Sequence, residues 1–305
     1  MRYFCAFCDP SAPPLSRVFC VAIGGKSLKL WGMRWKCTVA YDGTDFEGWQ
    51  SQPSKNTVQD HLERRLAFLF KRDVRVHGSG RTDSGVHANA QVFHFDGEWK
   101  WAPEDLLKAL RVGYPDSIQV YRAERVSDDF HARFSAVGKR YVYHFYEGFA
   151  GPFDYRWHWS LGHWRLDLDR VNEAAQQLIG KHDFAPFSAN PRDGREESTV
   201  KDLRRLEVVR NGRHLTLVTE ASGYLFRMVR SLAGCLVNVG IGRLSQDDLR
   251  EILECGVRTE RVVTAPARGL FLDRVYYEGH DTPDPDPTKI VFGGPAHSPW
   301  QGEGR

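Results

Sequence analysis

At residues 78–88 the sequence reads Gly78-Ser79-Gly80-Arg81-Thr82-Asp83-Ser84-Gly85-Val86-His87-Ala88, a run of small and polar residues around a single carboxylate. Strand-like segments lie on both sides, at residues 74–77 and 91–95. Glycine adopts backbone angles that other residues avoid, so this run can bend sharply. The pattern predicts a tight loop that presents Asp83 at the rim of a sheet. From these residues alone, a polar hairpin turn without chemistry is the simpler interpretation.

Outward from this loop, hydrophobic periodicity predicts alternating strands and helices. Apolar residues recur with a period of two over residues 35–41, which is typical of a strand. Thr57 and Asp60 resemble the capping box of a helix, with Asp where Glu or Gln is usual. The same reasoning predicts helices at residues 103–110, 168–178, 225–239 and 245–255, strands at residues 118–121, 140–146, 206–209, 215–218 and 270–277, and a hairpin turn at Asn211-Gly212.

The two ends of the chain differ from its body. Residues 1–32 are basic, with Asp9 as their single acid, and three interpretations are open: an organelle transit peptide, an inaccurate start site, and an extension with no targeting role. The first would direct the protein to a plastid or mitochondrion, and the other two leave it in the cytoplasm. Residues 280–305 are rich in Pro, Gly and Asp and are predicted to be a disordered tail. Between the ends we predict an N-terminal α+β half at residues 33–137, with the Asp83 loop, and a C-terminal α+β half at residues 138–279.

The composition is ordinary for a globular protein, with 41% hydrophobic and 27% charged residues in a chain of 305. No apolar run approaches the roughly 20 residues that span a bilayer, so no membrane partner is predicted. The net charge of +3 neither requires nor excludes a nucleic-acid partner. The six cysteines are scattered without the spacing of a disulfide framework. Cys5 and Cys8 lack a second pair of ligands, so no metal site is predicted.

Basic residues are concentrated shortly before the 78–88 loop and at several later positions. Together they are candidates for a phosphate-binding cleft, although for any single one a solvated surface charge is the simpler interpretation. They are Arg64, Arg65, Lys71, Arg72, Arg75, Lys139, Arg140, Lys201, Arg204, Arg205, Arg227 and Arg230.

Several segments, taken together with the 78–88 loop, resemble the tRNA pseudouridine synthase A family. They follow one another in the family's order from about Met33 to Tyr277, so that only the two ends of the chain fall outside. The segments are Tyr41-Asp42-Gly43-Thr44-Asp45-Phe46-Glu47-Gly48-Trp49-Gln50-Ser51-Gln52, Thr57-Val58-Gln59, Phe130-His131-Ala132-Arg133-Phe134-Ser135-Ala136, Lys139-Arg140-Tyr141-Val142-Tyr143, Gly223-Tyr224-Leu225-Phe226-Arg227-Met228-Val229-Arg230 and Ala265-Pro266-Ala267-Arg268-Gly269-Leu270.

The resemblance implies an α+β fold of two ferredoxin-like (RRM-like) halves around a shared antiparallel sheet with a central cleft. It implies an isomerase that converts uridine to pseudouridine in the anticodon stem-loop of tRNA, just 3′ of the anticodon, and that works as a homodimer. The reaction moves the glycosidic bond of ribose C1′ from uracil N1 to C5 without any redox change. No metal and no organic cofactor is therefore expected.

The resemblance also implies a role for each of five residues. Asp83 is the catalytic carboxylate, and Arg230 is the cation that holds it. Arg81 helps to keep the target nucleotide out of the base stack. Tyr141 packs against the target uracil, and Leu270 lies on the other side of the base. Whether Asp83 attacks the ribose, attacks the base or removes a proton stays open.

Some alternatives remain at this point. A catalytically silent RNA-binding protein on the same scaffold is opposed by the intact Asp83, Arg230 and Tyr141. An aspartate-dependent hydrolase is opposed by the lack of a second carboxylate near the loop. Tyr143 is predicted to share a strand face with Tyr141, and either ring is equally typical of a core. Leu270 is also interpretable as a core residue.

Two departures from the family pattern occur near Asp83. Ser84 stands where alanine is most common, and Ala90 stands where glycine is usual. If position 90 required a positive φ, alanine there would cost about 1 kcal/mol. His87 and His94 lack partners at metal-ligand spacing, so structural roles are predicted for both.

Overall fold

The computed structural model describes residues 33–189 and 198–279. The predicted extension at residues 1–32, with its targeting interpretation and the Cys5–Cys8 pair, lies outside the described residues, as does the predicted tail at 280–305. The described residues belong to one compact unit that begins at Met33.

Within the described residues the chain forms ten strands and five α-helices. In chain order they are β1 (Arg34–Tyr41), α1 (Val58–Phe70), β2 (His77–Gly78), β3 (His87–Asp96), α2 (Pro103–Leu110), β4 (Ile118–Val126), β5 (Ala136–Tyr146), β6 (Trp159–Ser160), α3 (Leu168–Gln176), β7 (Gly180–Asp183), β8 (Val200–Asn211), β9 (His214–Ala221), α4 (Met228–Gly240), α5 (Gln246–Glu254) and β10 (Leu270–Tyr277). Short 3₁₀ turns lie at Ala185–Phe187 and Ala267–Gly269.

All ten strands belong to one sheet in the order β4-β1-β3-β10-β5-β9-β8-β7, with β2 paired to β3 and β6 paired to β5. The first half contributes β4-β1-β3-β2 and the second half contributes β10-β5-β9-β8. In the first half β1 therefore lies between β4 and β3, with β2 beside β3. In the second half β5 lies between β10 and β9, with β8 beside β9. Both are the ferredoxin-like order. The predicted fold class, two such halves around a shared sheet, is confirmed.

The two halves meet where β3 pairs with β10. This pairing is parallel and short, with Phe271 opposite His87 and Leu272 opposite Ala88. The long ladders on either side of it are antiparallel, so the sheet is mixed at its centre rather than antiparallel throughout. The predicted division near residue 137 lies inside β5 and stays a prediction.

Local sequence explains most of the elements. The Thr57 hydroxyl accepts a hydrogen bond from the backbone N–H of Asp60 and so caps α1, as its sequence predicts. Ser245 and Asp248 form a complete capping box at α5. The apolar residues Val58, Leu62 and Leu66 of α1 are buried in the core, and Leu69 packs against it partly buried.

Several boundaries differ from the predictions, and three of the differences lie around the Asp83 loop and at the start of α4. The helix predicted from residue 225 begins at Met228, because Arg227 has a left-handed φ of 58°. The strand predicted at residues 74–77 is reduced to His77–Gly78. The strand predicted from residue 91 already begins at His87, inside the 78–88 run. Ala90 lies in this strand and is not among the residues with positive φ, so alanine carries no penalty there.

No helix in the described part of the chain combines the length and the apolarity that crossing a bilayer requires.

Candidate active site

The loop that carries Asp83 is fixed to its surroundings on both sides of that residue. The backbone N–H of Trp49 donates to the Thr82 carbonyl at 3.1 Å, and the Tyr41 and Thr82 hydroxyls are 2.8 Å apart. Val86 N–H donates back to the Asp83 carbonyl at 3.1 Å and closes the turn. Gly48 has a φ of +85°, and a Cβ there would lie 2.6 Å from the Thr82 carbonyl oxygen. Only glycine therefore permits this close approach.

Asp83 is held by an arginine from the other half of the chain. Nη1 of Arg230, in the first turn of α4, donates to Oδ2 of Asp83 at 2.8 Å. Nε of the same guanidinium donates to the Ala265 carbonyl at 2.8 Å, which fixes its plane. The Asp83 side chain is 21% exposed and the Arg230 side chain is 13% exposed. The structure thus brings together the carboxylate and the cation that the resemblance pairs.

A second arginine lies beside the same carboxylate oxygen. Nε of Arg227 is 3.8 Å from Oδ2 of Asp83, and the Arg227 side chain is 44% exposed. Its guanidinium also lies over the Phe226 ring, 4.8 Å from the centroid. Sequence reasoning counted Arg227 among the basic residues but did not place it next to Asp83. The available signal was its spacing of three residues from Arg230.

Asp83 borders a cavity of about 1080 Å³ whose walls come from both halves of the chain. Four of the five predicted site residues line it: Asp83, Arg81, Tyr141 and Leu270. Arg230 reaches the cavity through its ion pair with Asp83. The arrangement places one fixed carboxylate, one aromatic ring and one aliphatic side chain around a single space, but the individual roles of these residues stay predictions.

Tyr141 and Tyr143 differ sharply although they lie two residues apart on β5. The Tyr141 ring borders the cavity, is 8% exposed and meets the Tyr224 ring edge-on at 5.0 Å between centroids. Burial, with smaller contributions from Tyr41 and Asp83, raises the pKa of Tyr141 above its usual value, so its hydroxyl is protonated. Tyr143 is fully buried and donates to the Pro266 carbonyl at 2.8 Å. The structure therefore favours Tyr141 over Tyr143 as the ring that meets a substrate.

Arg81 and Leu270 lie at different depths of the cavity. Arg81 is exposed, and its Nε donates to Oε1 of Gln50 at 3.1 Å. Leu270 is buried at the first position of β10, opposite Tyr143 of β5 in the sheet register. Tyr224 also borders the cavity. The sequence analysis included it in the 223–230 segment but assigned it no role in the site.

Some of the predicted basic residues form a positive wall around the cavity, and others do not. Arg75, Lys139, Lys201 and Arg227 line the cavity, and Arg81 and Arg133 join them. Arg140 does not line the cavity, because its guanidinium is fully buried and donates from Nε to Oδ2 of Asp273 at 2.6 Å. Arg140 is therefore a core residue and not part of a phosphate-binding cleft.

The structural roles predicted for His87 and His94 agree with their burial. Nδ1 of His94 accepts from the Ala132 N–H at 3.1 Å. Burial, followed by the neighbouring His131 and His77, lowers the pKa of His94 to about 3, so this ring is neutral. Nε2 of His87 is 3.1 Å from the Arg268 carbonyl. Among the described residues, a set of side chains close enough to share a metal ion is Asp154, His158 and His214, and these do not line the cavity.

Comparison with known proteins gives a consistent result. The family model described as tRNA pseudouridine synthase matches residues 38–135 and 174–278. A tRNA pseudouridine synthase A from Bacillus subtilis (strain 168) is 43% identical over 251 residues, which covers 81% of this chain and 100% of the relative. Its namesake from Exiguobacterium sibiricum is 40% identical over 245 residues, covering 80% of this chain and 96% of the relative.

The relative from Bacillus licheniformis, also named tRNA pseudouridine synthase A, is 41% identical over 248 residues and covers 81% of this chain and 100% of its own length. The two matched blocks of the family model include the Asp83 loop, the cavity-facing Tyr224 and the Arg230 turn of α4. With its ferredoxin-like halves and its arginine-bound aspartate, the chain belongs to the tRNA pseudouridine synthase family.

Proposed function

We propose that this protein isomerises uridine to pseudouridine in the anticodon stem-loop of tRNA, just 3′ of the anticodon, with Asp83 as the catalytic carboxylate. The observation that carries the proposal is the 2.8 Å ion pair between Asp83 and Arg230 at the border of a cavity of about 1080 Å³. A cavity of this volume accommodates a nucleotide that has left the base stack.

The reaction requires one carboxylate and a site that holds the target nucleotide in a fixed orientation. The bond from ribose C1′ to uracil N1 breaks, a bond from C1′ to C5 forms, the proton on C5 leaves and N1 gains a proton. Atoms and electrons therefore balance within the nucleotide. Asp83 acts either as a nucleophile or as a proton acceptor, and the hydrogen bond from Arg230 keeps its carboxylate oriented for both paths.

The other cavity residues position the base. The Tyr141 ring and Leu270 are suited to hold a flat uracil between them, and stacking on an aromatic ring contributes about 1–3 kcal/mol per base. The protonated Tyr141 hydroxyl is available to relay the C5 proton. Arg81, at the exposed edge, is suited to support the nucleotide in its extruded position. The basic wall that includes Lys139 and Lys201 supports RNA binding, because each phosphate contact releases a counterion.

Asp83→Asn tests the proposal, because it keeps the shape of the side chain and removes its charge. Purified protein is incubated with an unmodified tRNA transcript, and pseudouridine is mapped position by position. The wild type is expected to modify uridines just 3′ of the anticodon, and Asp83→Asn is expected to bind the transcript with no detectable turnover. Asp73→Asn, at an exposed position away from the cavity, is the matched control. Turnover by pure Asp83→Asn would refute the assignment of Asp83.

The same assay separates the isomerase from the silent RNA-binding alternative. Tight binding of the transcript by the wild type, without pseudouridine at any position, would support the alternative. The intact pairing of Asp83 with Arg230 favours the enzyme.

We also propose that the protein is a homodimer, as the family resemblance suggests. Sedimentation equilibrium over a range of concentrations tests this, with a single species of monomer mass as the contrary result. Organelle targeting by residues 1–32 is a separate proposal. Fusion of these residues to a fluorescent reporter tests it, and a reporter that stays in the cytoplasm would exclude targeting.

A further inference from the structure

Three side chains outside the cavity come together near the hairpin end of the second half. Asp154 and His158 lie four residues apart in the turn between β5 and β6, and His214 is the first residue of β9. One ligand atom from each of the three lies within 4.8 Å of the others. His158 is almost completely buried, and Asp154 and His214 are half-buried. The set is therefore one buried imidazole with two partners that solvent can reach.

The hydrogen bonds of His158 orient the imidazole toward His214. Nδ1 of His158 is 2.9 Å from the Asp154 carbonyl oxygen. A carbonyl only accepts, so Nδ1 carries the proton and the Nε2 lone pair is directed away from the turn. A backbone carbonyl is one of the common partners of the second ring nitrogen in a metal-bound histidine, because it fixes the tautomer and the ring orientation.

The distance between the two imidazoles fits ligation of a single ion. Nε2 of His158 and Nδ1 of His214 are 3.2 Å apart. Two nitrogens bound to one tetrahedral zinc ion at about 2.0 Å lie roughly 3.3 Å from each other. An oxygen of the half-buried Asp154 carboxylate lies within 4.8 Å of the two ring nitrogens, so it is the candidate for a third, anionic ligand, with a fourth position left for water. Two imidazoles and one carboxylate are a donor set that zinc favours.

We propose that Asp154, His158 and His214 bind one Zn²⁺ ion that braces the wall behind the cavity. The His158 carbonyl accepts from Nε of Arg268 at 3.1 Å, and Arg268 stands two residues before Leu270. Between the two turn ligands, Trp157 donates from Nε1 to Oδ2 of Asp42 at 3.3 Å. A metal ion here joins the turn to β9 and stabilises these contacts without entering the reaction.

Metal content of tag-free protein tests this site directly. The chain is stripped with a chelator, dialysed against excess Zn²⁺, desalted and analysed by elemental mass spectrometry. The expected result is about one zinc per chain. With free Zn²⁺ at about a hundred times its Kd, the Tm is expected to rise by roughly 5 °C. His214→Ala and Asp154→Asn are expected to lose both the retained zinc and the Tm shift. The exposed His163→Ala is the matched control and should keep both.

Two results would overturn the proposal. Wild-type protein that retains no zinc and shows no Tm shift would reduce the cluster to an ordinary hydrogen bond between His158 and His214. Equal zinc in the wild type and in both ligand variants would place the metal elsewhere. Because the three side chains do not line the cavity, either result leaves the proposed isomerase activity untouched, and stripped protein is expected to retain tRNA turnover.

Discussion

Arg230 donates from Nη1 to Oδ2 of Asp83 at 2.8 Å, across 147 positions of sequence. The bond joins the loop of the first half to the first turn of α4 in the second half. Neither half therefore contains a complete site, and the orientation of the carboxylate depends on the sheet that holds the halves together.

Arg230→Gln is expected to lower kcat by roughly 10- to 100-fold, because a hydrogen bond to a charged group contributes about 1.5–3 kcal/mol. Binding of tRNA should change little, since Arg230 does not line the cavity. Arg230→Lys keeps the charge and should fall between the wild type and Gln. Single-turnover rates and Kd values measure both effects. A changed salt dependence of binding with an unchanged rate would instead identify Arg230 as a phosphate contact.

Arg227→Gln is expected to act mainly on RNA binding. Its Nε lies 3.8 Å from Asp83 and its side chain is 44% exposed, so the ion pair itself contributes little. We expect kcat to fall by less than about tenfold, and the slope of log K against log salt to decrease by about 0.7–0.9. Arg243→Gln, which lies over Trp164 and away from the cavity, should leave the slope as it is. An unaltered slope for Arg227→Gln would exclude a phosphate contact.

Substitutions of Tyr141 separate ring stacking from proton transfer. Tyr141→Phe keeps the ring and should retain binding but lose rate, because the hydroxyl is absent. Tyr141→Ala should lose both, with binding weaker by about 1–3 kcal/mol. Tyr143→Phe is the matched control, since its hydroxyl bonds the Pro266 carbonyl inside the core and its loss should lower Tm rather than kcat. Wild-type rates for Tyr141→Ala would remove Tyr141 from the site.

Asp60→Asn is expected to make stability depend less on pH. Burial raises the pKa of Asp60, and hydrogen bonds from the Ser51 and Thr57 hydroxyls lower it. The lowering effects together outweigh burial, so the pKa lies below its usual value. The carboxylate therefore stabilises the fold above the ordinary Asp pKa of about 3.9, and this contribution is lost as pH falls. At neutral pH the variant should lose about 1–3 kcal/mol of unfolding free energy.

Urea titrations at a series of pH values measure this difference. The gap between the wild type and Asp60→Asn should narrow as the pH falls below about 4. Asp73→Asn, at an exposed position, should show no such gap. A constant gap at all pH values would mean that shape and not charge matters at position 60.

Removal of residues 1–32 is expected to leave tRNA turnover in vitro unchanged. The family match begins at residue 38 and β1 begins at Arg34, so the cavity is built from later residues. Steady-state rates of the full-length and shortened proteins provide the comparison, with circular dichroism as the folding control. A folded but inactive shortened protein would assign residues 1–32 a part in substrate binding.

Elements with local signals were predictable from the sequence. Caps such as Thr57 and Ser245 act within one turn of the helix, and apolar periodicity reports burial directly. The start of α4 carries no such signal, since nothing in the local sequence distinguishes an arginine with a φ of 58° from the first residue of a helix. The parallel pairing of β3 with β10 was likewise hidden, because it joins strands that belong to different halves of the chain and are distant in the sequence.

The site divided in the same way. Resemblance to a family was sufficient to name Asp83 and Arg230, and the structure brings them into contact. The side chains that were placed wrongly or missed depend on contacts between elements that are distant in the sequence or on the path of a loop. Arg140 was counted as a cleft cation, but it meets Asp273 of β10 inside the core. Tyr224 reaches the cavity only because the chain turns toward β5 after β9.

The position of β10 has a consequence for the synthesis of the protein. This strand is the last that the structure describes, yet it lies at the centre of the sheet, between β3 and β5. A ribosome must release Leu270–Tyr277 before the two halves can join, so every shorter nascent chain exposes the facing edges of β3 and β5. Such edges are templates for wrong pairing between chains. The nascent chain is therefore most prone to aggregation, and most in need of a chaperone, in the last stage of synthesis before β10 is released and the two halves join.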